Sequence, residues 1–206
     1  MTLLRPPAWS VPDAVQIAYT RNPLPSVLTA AERARAASFG HAGRRRQFLL
    51  GRTAARLLAA ERLGLEPGDV PLAVGSDGAP ELGPLAVSIA HGGAPVLGIA
   101  AIANGPIGVD VEAVRPRRPD LWTRILRADE RDVILTLGGA TDDAQTRVWT
   151  MKEAVLKAQR TGFRAGAQSV RLQLDGDRAT ATSEAGAWEV RSLRLDGSWI
   201  SLAWAT

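Results

Sequence analysis

Residues 107–112 read Ile-Gly-Val-Asp-Val-Glu and follow directly after Pro106. Apolar side chains alternate with other side chains through this stretch, which is the pattern of a β-strand with one face in a core. The isoleucine and the two valines then point into the core, whereas Gly108, Asp110 and Glu112 share the opposite face. The pattern therefore predicts two neighbouring carboxylates on one face of a strand.

Two carboxylates this close repel each other unless a cation lies between them. Oxygen ligands without His or Cys suit a hard ion such as Mg²⁺. The alternative is a pair of solvated acids at an exposed strand end. The strand by itself leaves both interpretations open.

A second informative stretch, residues 149–157, reads Trp-Thr-Met-Lys-Glu-Ala-Val-Leu-Lys. Of the 25 basic residues in the chain, only Lys152 and Lys157 are lysines. Lysine is a compact charge that can release a proton, which arginine does not do, so this pairing beside Glu153 favours chemistry at this place. The alternative is a plain helical salt bridge between Glu153 and Lys157, which are four residues apart.

Helical periodicity predicts that this stretch belongs to a helix over residues 142–160. Its core face is formed by Val148, Met151, Val155 and Ala158, and the opposite side carries Trp149, Glu153, Leu156, Lys157 and Arg160.

Helix and strand signals occur in similar amounts in both halves of the chain. A capping box at Thr29 and Glu32 opens the first of the further predicted helices, which span residues 29–39, 44–63 and 119–137. Further strands are predicted at 15–19, 86–90, 95–103, 170–174, 179–183, 188–195 and 199–204. We therefore predict an α+β fold of two lobes, residues 1–105 and 106–206.

Composition narrows the class of protein. The 206 residues are 46% hydrophobic and 22% charged, which is ordinary for a globular protein, and there is no cysteine for a disulfide or a thiolate site. No apolar run approaches the about 20 residues that span a bilayer, and no secretory signal is visible, so a cytoplasmic protein is expected. The net charge of +4 favours an anionic ligand or an acidic partner. Scattered aromatic residues argue against nucleic acid.

Basic residues also cluster at the start of the second predicted helix. Residues 44–46 are all arginine, and Arg52 and Arg56 follow on the same helix. Positive charge opposes the helix dipole there unless a phosphate is bound. A solvated helix start is the alternative. His91 ends a predicted strand before two glycines, where a side chain can approach a ligand closely. The alternative is a hydrogen-bonded loop histidine without a ligand.

Together these segments resemble the surfactin-synthetase-type 4'-phosphopantetheinyl transferases. The family patterns G-[IV]-D-[IV]-E and W-[ST]-x-K-E-[AS]-x-x-K are matched at every defined position by residues 108–112 and 149–157. Residues 44–52 are similar to the basic helix of the family, and residues 88–93 are similar to its Ser-His strand end. Ala90 stands where the family often has a serine, and Ala79 where many members have a lysine. The resemblance implies that both departures would weaken polar contacts to coenzyme A, so that either a nearby arginine substitutes or coenzyme A binds more weakly.

The resemblance implies two similar lobes related by a pseudo-two-fold axis, with the ligand cleft between them, and a monomer is expected. It implies Mg²⁺-dependent transfer of the 4'-phosphopantetheine arm of coenzyme A to a serine of an acidic acyl or peptidyl carrier protein, with release of adenosine 3',5'-bisphosphate. Such carriers serve fatty acid, polyketide or nonribosomal peptide synthesis. An Mg²⁺-dependent phosphohydrolase or nuclease is the alternative enzyme, and a non-catalytic basic module is a third interpretation.

The resemblance also implies roles for particular residues. Asp110, Glu112 and Glu153 would hold Mg²⁺, and Glu153 would also act as general base. Lys157 and Lys152 would stabilise charge on the pyrophosphate. The residues implied to contact coenzyme A are Arg44, Arg52, His91 and Lys157.

A basic segment, residues 115–124, follows the carboxylate strand and contains Leu121 and Trp122. It could receive an acidic helix of a carrier protein. The alternative is that these two apolar residues belong to the core.

Overall fold

The computed structural model describes residues 3–6, 9, 11–130, 134, 137, 139, 141–160, 166–176 and 178–206. The chain divides into two compact units, residues 1–104 and 105–206. Both units combine helices with antiparallel sheet, so the prediction of a mixed helix-and-sheet fold is confirmed. The pseudo-two-fold likeness of the lobes and a ligand cleft between them stay predictions.

The first unit contains a long helix and an antiparallel sheet. Its helices are α1 (Ala30–Ala37) and α2 (Ala42–Leu63), and its strands are β1 (Gln16–Thr20), β2 (Ala73–Val74), β3 (Pro80–Glu81), β4 (Ala86–Gly92) and β5 (Leu97–Ala103). The sheet has the order β1-β5-β4, and β2 pairs with β3 as a separate hairpin. Helix α2 packs on this sheet.

Short-range interactions fix the start of α1 and the end of α2. The Thr29 hydroxyl accepts a hydrogen bond from the Glu32 amide at 3.2 Å, and the Glu32 carboxylate accepts one from the Thr29 amide at 2.9 Å. This is the predicted capping box, which satisfies amides that a helix start leaves unpaired. Helix α2 ends at Gly64, whose left-handed backbone, with φ of 66°, suits glycine.

Helix α2 lies unusually close to strand β5. A Cβ atom on Gly98 would come within 2.1 Å of the backbone carbon of Leu50. Only glycine permits this approach, so Gly98 sets the distance between helix and sheet in this unit.

The second unit places one helix across a larger sheet. Its helices are α3 (Pro119–Ile125) and α4 (Asp142–Ala158), and its strands are β6 (Ile107–Ala113), β7 (Arg171–Asp175), β8 (Arg178–Ser183), β9 (Gly186–Leu195) and β10 (Ser198–Ala205). The strands are antiparallel in the order β6-β10-β9-β8-β7. The four residues predicted for the core face of α4 are buried, and so is Leu156, which was predicted for the opposite side.

The prediction of one helix over residues 119–137 is wrong. Helix α3 ends at Ile125, and Leu126 has extended backbone with ψ of 133°. The amide of Arg127 donates instead to the carboxylate of Glu130 at 2.9 Å. Much of the predicted segment after 130 lies outside the described residues.

No helix among the described residues is long and apolar enough to cross a membrane.

Candidate active site

Strand β6 and helix α4 cross at very short range, and this crossing builds the site. A Cβ atom on Gly108 would lie 1.9 Å from the carbonyl oxygen of Ala154 and 2.5 Å from the amide nitrogen of Ala158. The face of β6 that carries Asp110 is therefore covered by α4. The absence of a side chain at Gly108 lets the strand approach the helix backbone, which brings the acidic side chains of both motifs near one another.

Asp110 is buried and paired with Lys157. The Lys157 ammonium donates to Oδ1 of Asp110 at 2.7 Å and to the carbonyl oxygen of Val109 at 3.1 Å. The other carboxylate oxygen, Oδ2, is buried and accepts no hydrogen bond from any described residue. An unsatisfied buried carboxylate oxygen is costly, so this atom is a candidate ligand for a cation.

Glu112 occupies the next position on the same face, and an arginine holds it. An Nη atom of Arg117 donates to Oε2 of Glu112 at 2.6 Å. Burial and the neighbouring Asp110 charge raise the pKa of Glu112, while Arg117 and Lys157 act in the opposite direction. A carboxylate whose pKa is raised by another carboxylate indicates excess negative charge at this place.

Glu153 projects from α4 toward the same cluster. Burial, then the charges of Asp110 and Glu112, raise the pKa of Glu153 to about 6, although Lys157 and a hydrogen bond from Trp149 lower it. Perturbed carboxyl groups of this kind are frequent in functional sites. A carboxylate with this pKa can accept a proton near neutral pH.

The structure contradicts the predicted catalytic role of Lys152. Its side chain is 0% exposed, and its ammonium donates to Glu130 at 2.5 Å and to the carbonyl oxygens of Ile125 and Ala167 at 3.0 and 3.1 Å. All three N–H groups therefore have acceptors. Lys152 faces the opposite way from Lys157 and stabilises the second unit internally.

The residues predicted to contact coenzyme A in the first unit have different environments. Arg44 is exposed in the first turn of α2, and His91 is exposed at the end of β4. The ring of His91 lies against α2, since its Cδ2 would be 3.5 Å from a Cβ on Gly51.

Arg52 does not fit the predicted role. It is buried in an ion pair with Glu32 at 2.8 Å, and Arg56 pairs with the same carboxylate at 2.6 Å. The guanidinium of Arg52 therefore neutralises an internal charge, and the structure contradicts its predicted contact with a ligand.

Three carboxylates of the second unit influence one another electrostatically, and oxygen atoms are the ligands that Mg²⁺ prefers. All the atoms that could bind a metal here are oxygens, and Oδ2 of Asp110 has no hydrogen-bond partner among the described residues. The pKa values of Glu112 and of Glu153 are raised by burial and by neighbouring negative charge. As the side chains stand, however, no three acidic or His side chains among the described residues are close enough to hold an ion. Lys157 is paired with one oxygen of Asp110, and Arg117 is paired with one oxygen of Glu112.

Sequence analysis did not predict two features of the second unit. Glu130, the buried partner of Lys152, lies within a segment that was predicted as an ordinary helix. Arg117, assigned only to a basic surface, contacts Glu112 and stacks on Trp149. No local pattern distinguishes it from the neighbouring exposed arginines.

Comparison with known proteins shows which family this chain is similar to. Residues 106–203 match the family model of the 4'-phosphopantetheinyl transferase superfamily, and this range includes both motifs. The chain is 29% identical over 189 residues to 4'-phosphopantetheinyl transferase HetI of Nostoc sp., covering 86% of this chain and 78% of that protein. It is 28% identical over 158 residues to the 4'-phosphopantetheinyl transferase of Bacillus subtilis, covering 73% and 69%.

Among solved structures, the chain is similar to the crystal structure of Thermotoga maritima holo-[acyl-carrier-protein] synthase, with a TM-score of 0.42 and 21% identity. That match covers 48% of this chain and 61% of the other. The sequence matches confirm the resemblance to the 4'-phosphopantetheinyl transferases, and they support the prediction that the chain is an enzyme.

Proposed function

We propose that this protein transfers the 4'-phosphopantetheine arm of coenzyme A to a serine of an apo acyl or peptidyl carrier protein and releases adenosine 3',5'-bisphosphate. The observation that carries the proposal is the crossing of β6 and α4, which gathers Asp110, Glu112, Glu153 and Lys157. Three carboxylates and one ammonium at one place suit the positioning and neutralisation of a diphosphate.

In the reaction, the serine oxygen bonds to the phosphorus that carries the pantetheine arm. The bond between this phosphorus and the bridging oxygen breaks, and the bisphosphate leaves with that oxygen. Glu153 takes the proton of the serine hydroxyl, which its pKa of about 6 favours near neutral pH. Lys157 stabilises the negative charge that develops on the leaving group.

Asp110, Glu112 and Glu153 would hold Mg²⁺. When bound, the ion would supply neutralising charge for the diphosphate of coenzyme A. Lys157 would contact the same diphosphate from α4. In the first unit, the exposed residues Arg44 and His91 are the proposed contacts for coenzyme A.

The carrier protein is proposed to bind at a basic groove in the second unit. The groove has a volume of about 390 Å³ and is lined by Arg115, Pro116, Arg117, Arg118, Asp120, Leu121 and Arg124. Arg115 and Arg124 are exposed and form no ion pair with a described carboxylate. This charge favours an acidic helix as the partner.

Intact-mass spectrometry tests the proposal directly. Purified protein is incubated with Mg²⁺, coenzyme A and a panel of apo carrier proteins, and the expected result is the mass of one phosphopantetheine arm added to a carrier. A variant carrier with alanine in place of the acceptor serine is the control. If no carrier gains mass while bisphosphate forms from coenzyme A and water, the protein is a phosphohydrolase and the proposal is wrong.

A further inference from the structure

Arg117 links the carboxylate cluster to the basic groove through a continuous set of contacts. It donates to Oε2 of Glu112 at 2.6 Å, and its guanidinium carbon lies 4.0 Å from the centre of the Trp149 ring. Trp149 in turn hydrogen-bonds Glu153. One arginine therefore reaches two of the three carboxylates, one directly and one through a single side chain.

The burial of Arg117 separates it from the other arginines of the same loop. Its side chain is 11% exposed, whereas that of Arg118 is 86% exposed and pairs with Asp120 at the surface. The Nε atom of Arg117 is buried without a hydrogen-bond partner among the described residues. The side chain is thus held inward by Glu112 and Trp149, even though one of its donors stays unsatisfied.

The two contacts require different properties of the guanidinium. The ion pair with Glu112 requires positive charge, and the contact with Trp149 requires a planar group that can stack on the ring. A lysine at this position would retain the charge but would lose the planar group. The charge and the stacking can therefore be separated by substitution.

The aromatic contact extends further into the core. The rings of Trp149 and Trp122 meet edge to face, with centroids 6.0 Å apart. Trp149 is therefore fixed between Trp122 and Arg117, and its N–H direction toward Glu153 depends on both neighbours.

The geometry points to Arg117 as a positioning residue of the proposed transferase: it holds Glu112 directly and Glu153 through Trp149. This inference rests on the proposed function. Arg117 itself touches no reacting atom. Because the positive charge of Arg117 lies beside Glu112, Arg117 also opposes the binding of a metal cation at that carboxylate.

Three variants test this role: Arg117→Met, which removes charge and planarity, Arg117→Lys, which keeps the charge alone, and Arg171→Met as the matched surface control, because Arg171 is exposed outside the groove and pairs with Asp129 at 3.2 Å. Mn²⁺ serves as the probe ion, and its binding to the protein is measured by electron paramagnetic resonance without coenzyme A or carrier. Turnover is measured separately with Mg²⁺ and saturating coenzyme A and carrier. Thermal unfolding of each variant reports on the fold.

The two readouts should move in opposite directions for Arg117→Met. Mn²⁺ binds more tightly, because a repelling charge is lost and Oε2 of Glu112 becomes free, while kcat falls by roughly 10- to 100-fold, the range typical when a residue that orients metal ligands is removed. Arg117→Lys returns Mn²⁺ affinity toward that of the unmodified protein but does not restore kcat. Arg171→Met changes neither quantity.

The inference is overturned if Arg117→Met leaves both Mn²⁺ affinity and kcat equal to those of Arg171→Met, or lowers only the unfolding temperature. Full recovery of kcat in Arg117→Lys would also overturn it, because charge alone would then explain the effect. The Mn²⁺ measurement needs no carrier protein. It therefore still tests Arg117 if the unmodified protein transfers nothing and the proposed function fails.

Discussion

Gly108 lies so close beneath Ala154 that a single added carbon on the strand would come within 1.9 Å of the helix carbonyl oxygen. This contact joins the two motifs physically. The absence of a side chain at Gly108 permits the approach, and the charged residues beside it form the proposed site. The motifs therefore act as one structural unit.

Replacement of Gly108 by alanine should destabilise the protein. The new Cβ would meet helix backbone, which cannot rotate away as a side chain can, so α4 must shift. Overpacking of this kind costs about 1–3 kcal/mol. Gly105→Ala is the matched control, because its Cβ would have nothing within 4 Å. Urea unfolding compares the two; equal stabilities would show that the helix and strand are not this close.

Replacement of Lys152 by methionine should also reduce stability, because the carboxylate of Glu130 would stay buried without its ion-pair partner. Breaking a buried pair in this way costs about 3–5 kcal/mol. The double variant Lys152→Met with Glu130→Leu should recover much of this loss. A double-mutant cycle by chemical denaturation measures the coupling, and additive losses would contradict the buried pair.

Lys157→Arg should impair catalysis although the charge is kept. The ammonium fits between Oδ1 of Asp110 and the carbonyl oxygen of Val109, and the larger planar guanidinium cannot occupy the same space. We expect kcat for carrier modification to fall at least about tenfold, since a displaced charge-stabilising donor typically costs more than that. Unchanged kinetics would remove Lys157 from the site.

Glu153 should make the stability of the metal-free protein depend on pH. Its folded-state pKa of about 6 lies above the ordinary value of 4.5, so folding favours the protonated form. This contribution is present at acidic pH and is lost as the pH rises from about 4.5 through 6. Since the side chain is partly exposed and screened by water, Glu153→Gln should stabilise the protein by about 1–2 kcal/mol at pH 7.5 and by less at pH 5.

Urea unfolding of both proteins at the two pH values, in the presence of a chelator, measures this difference. Equal stability of Glu153→Gln and the unmodified protein at pH 7.5 would show that neither burial nor the neighbouring carboxylates disfavour the charged form of Glu153. The same variant should fail to modify a carrier protein, because glutamine cannot accept the serine proton.

Charge reversal in the groove should weaken carrier binding. The double variant Arg115→Glu with Arg124→Glu should raise the KM for the carrier more than the KM for coenzyme A, because two attractive charges become repulsive. The effect should shrink at high salt, which screens exposed charges. Arg62→Glu, a change at a partly exposed position of the first unit, is the control. Equal effects of both variants on the carrier KM would move the docking surface elsewhere.

Much of the fold followed from short-range signals. The capping box at Thr29, the end of the second helix at residue 63 and the strand at residues 107–112 were predicted correctly, because caps, turns and side-chain periodicity depend on neighbours in the sequence. The helix predicted over residues 119–137 failed at Leu126, where the carboxylate of Glu130 replaces a helical acceptor.

The sequence alone was enough to place Asp110 and Glu112 on one face of a strand and Glu153 and Lys157 on one face of a helix, because these relations depend only on residue spacing. Folding of the second unit decided which of the two lysines points toward these carboxylates. Lys152 turns inward because its acceptors come from Glu130, Ile125 and Ala167, and only tertiary packing brings them to α4. Whether a lysine belongs to the site or to the core depends on which distant residues surround it, and no local sequence pattern encodes this.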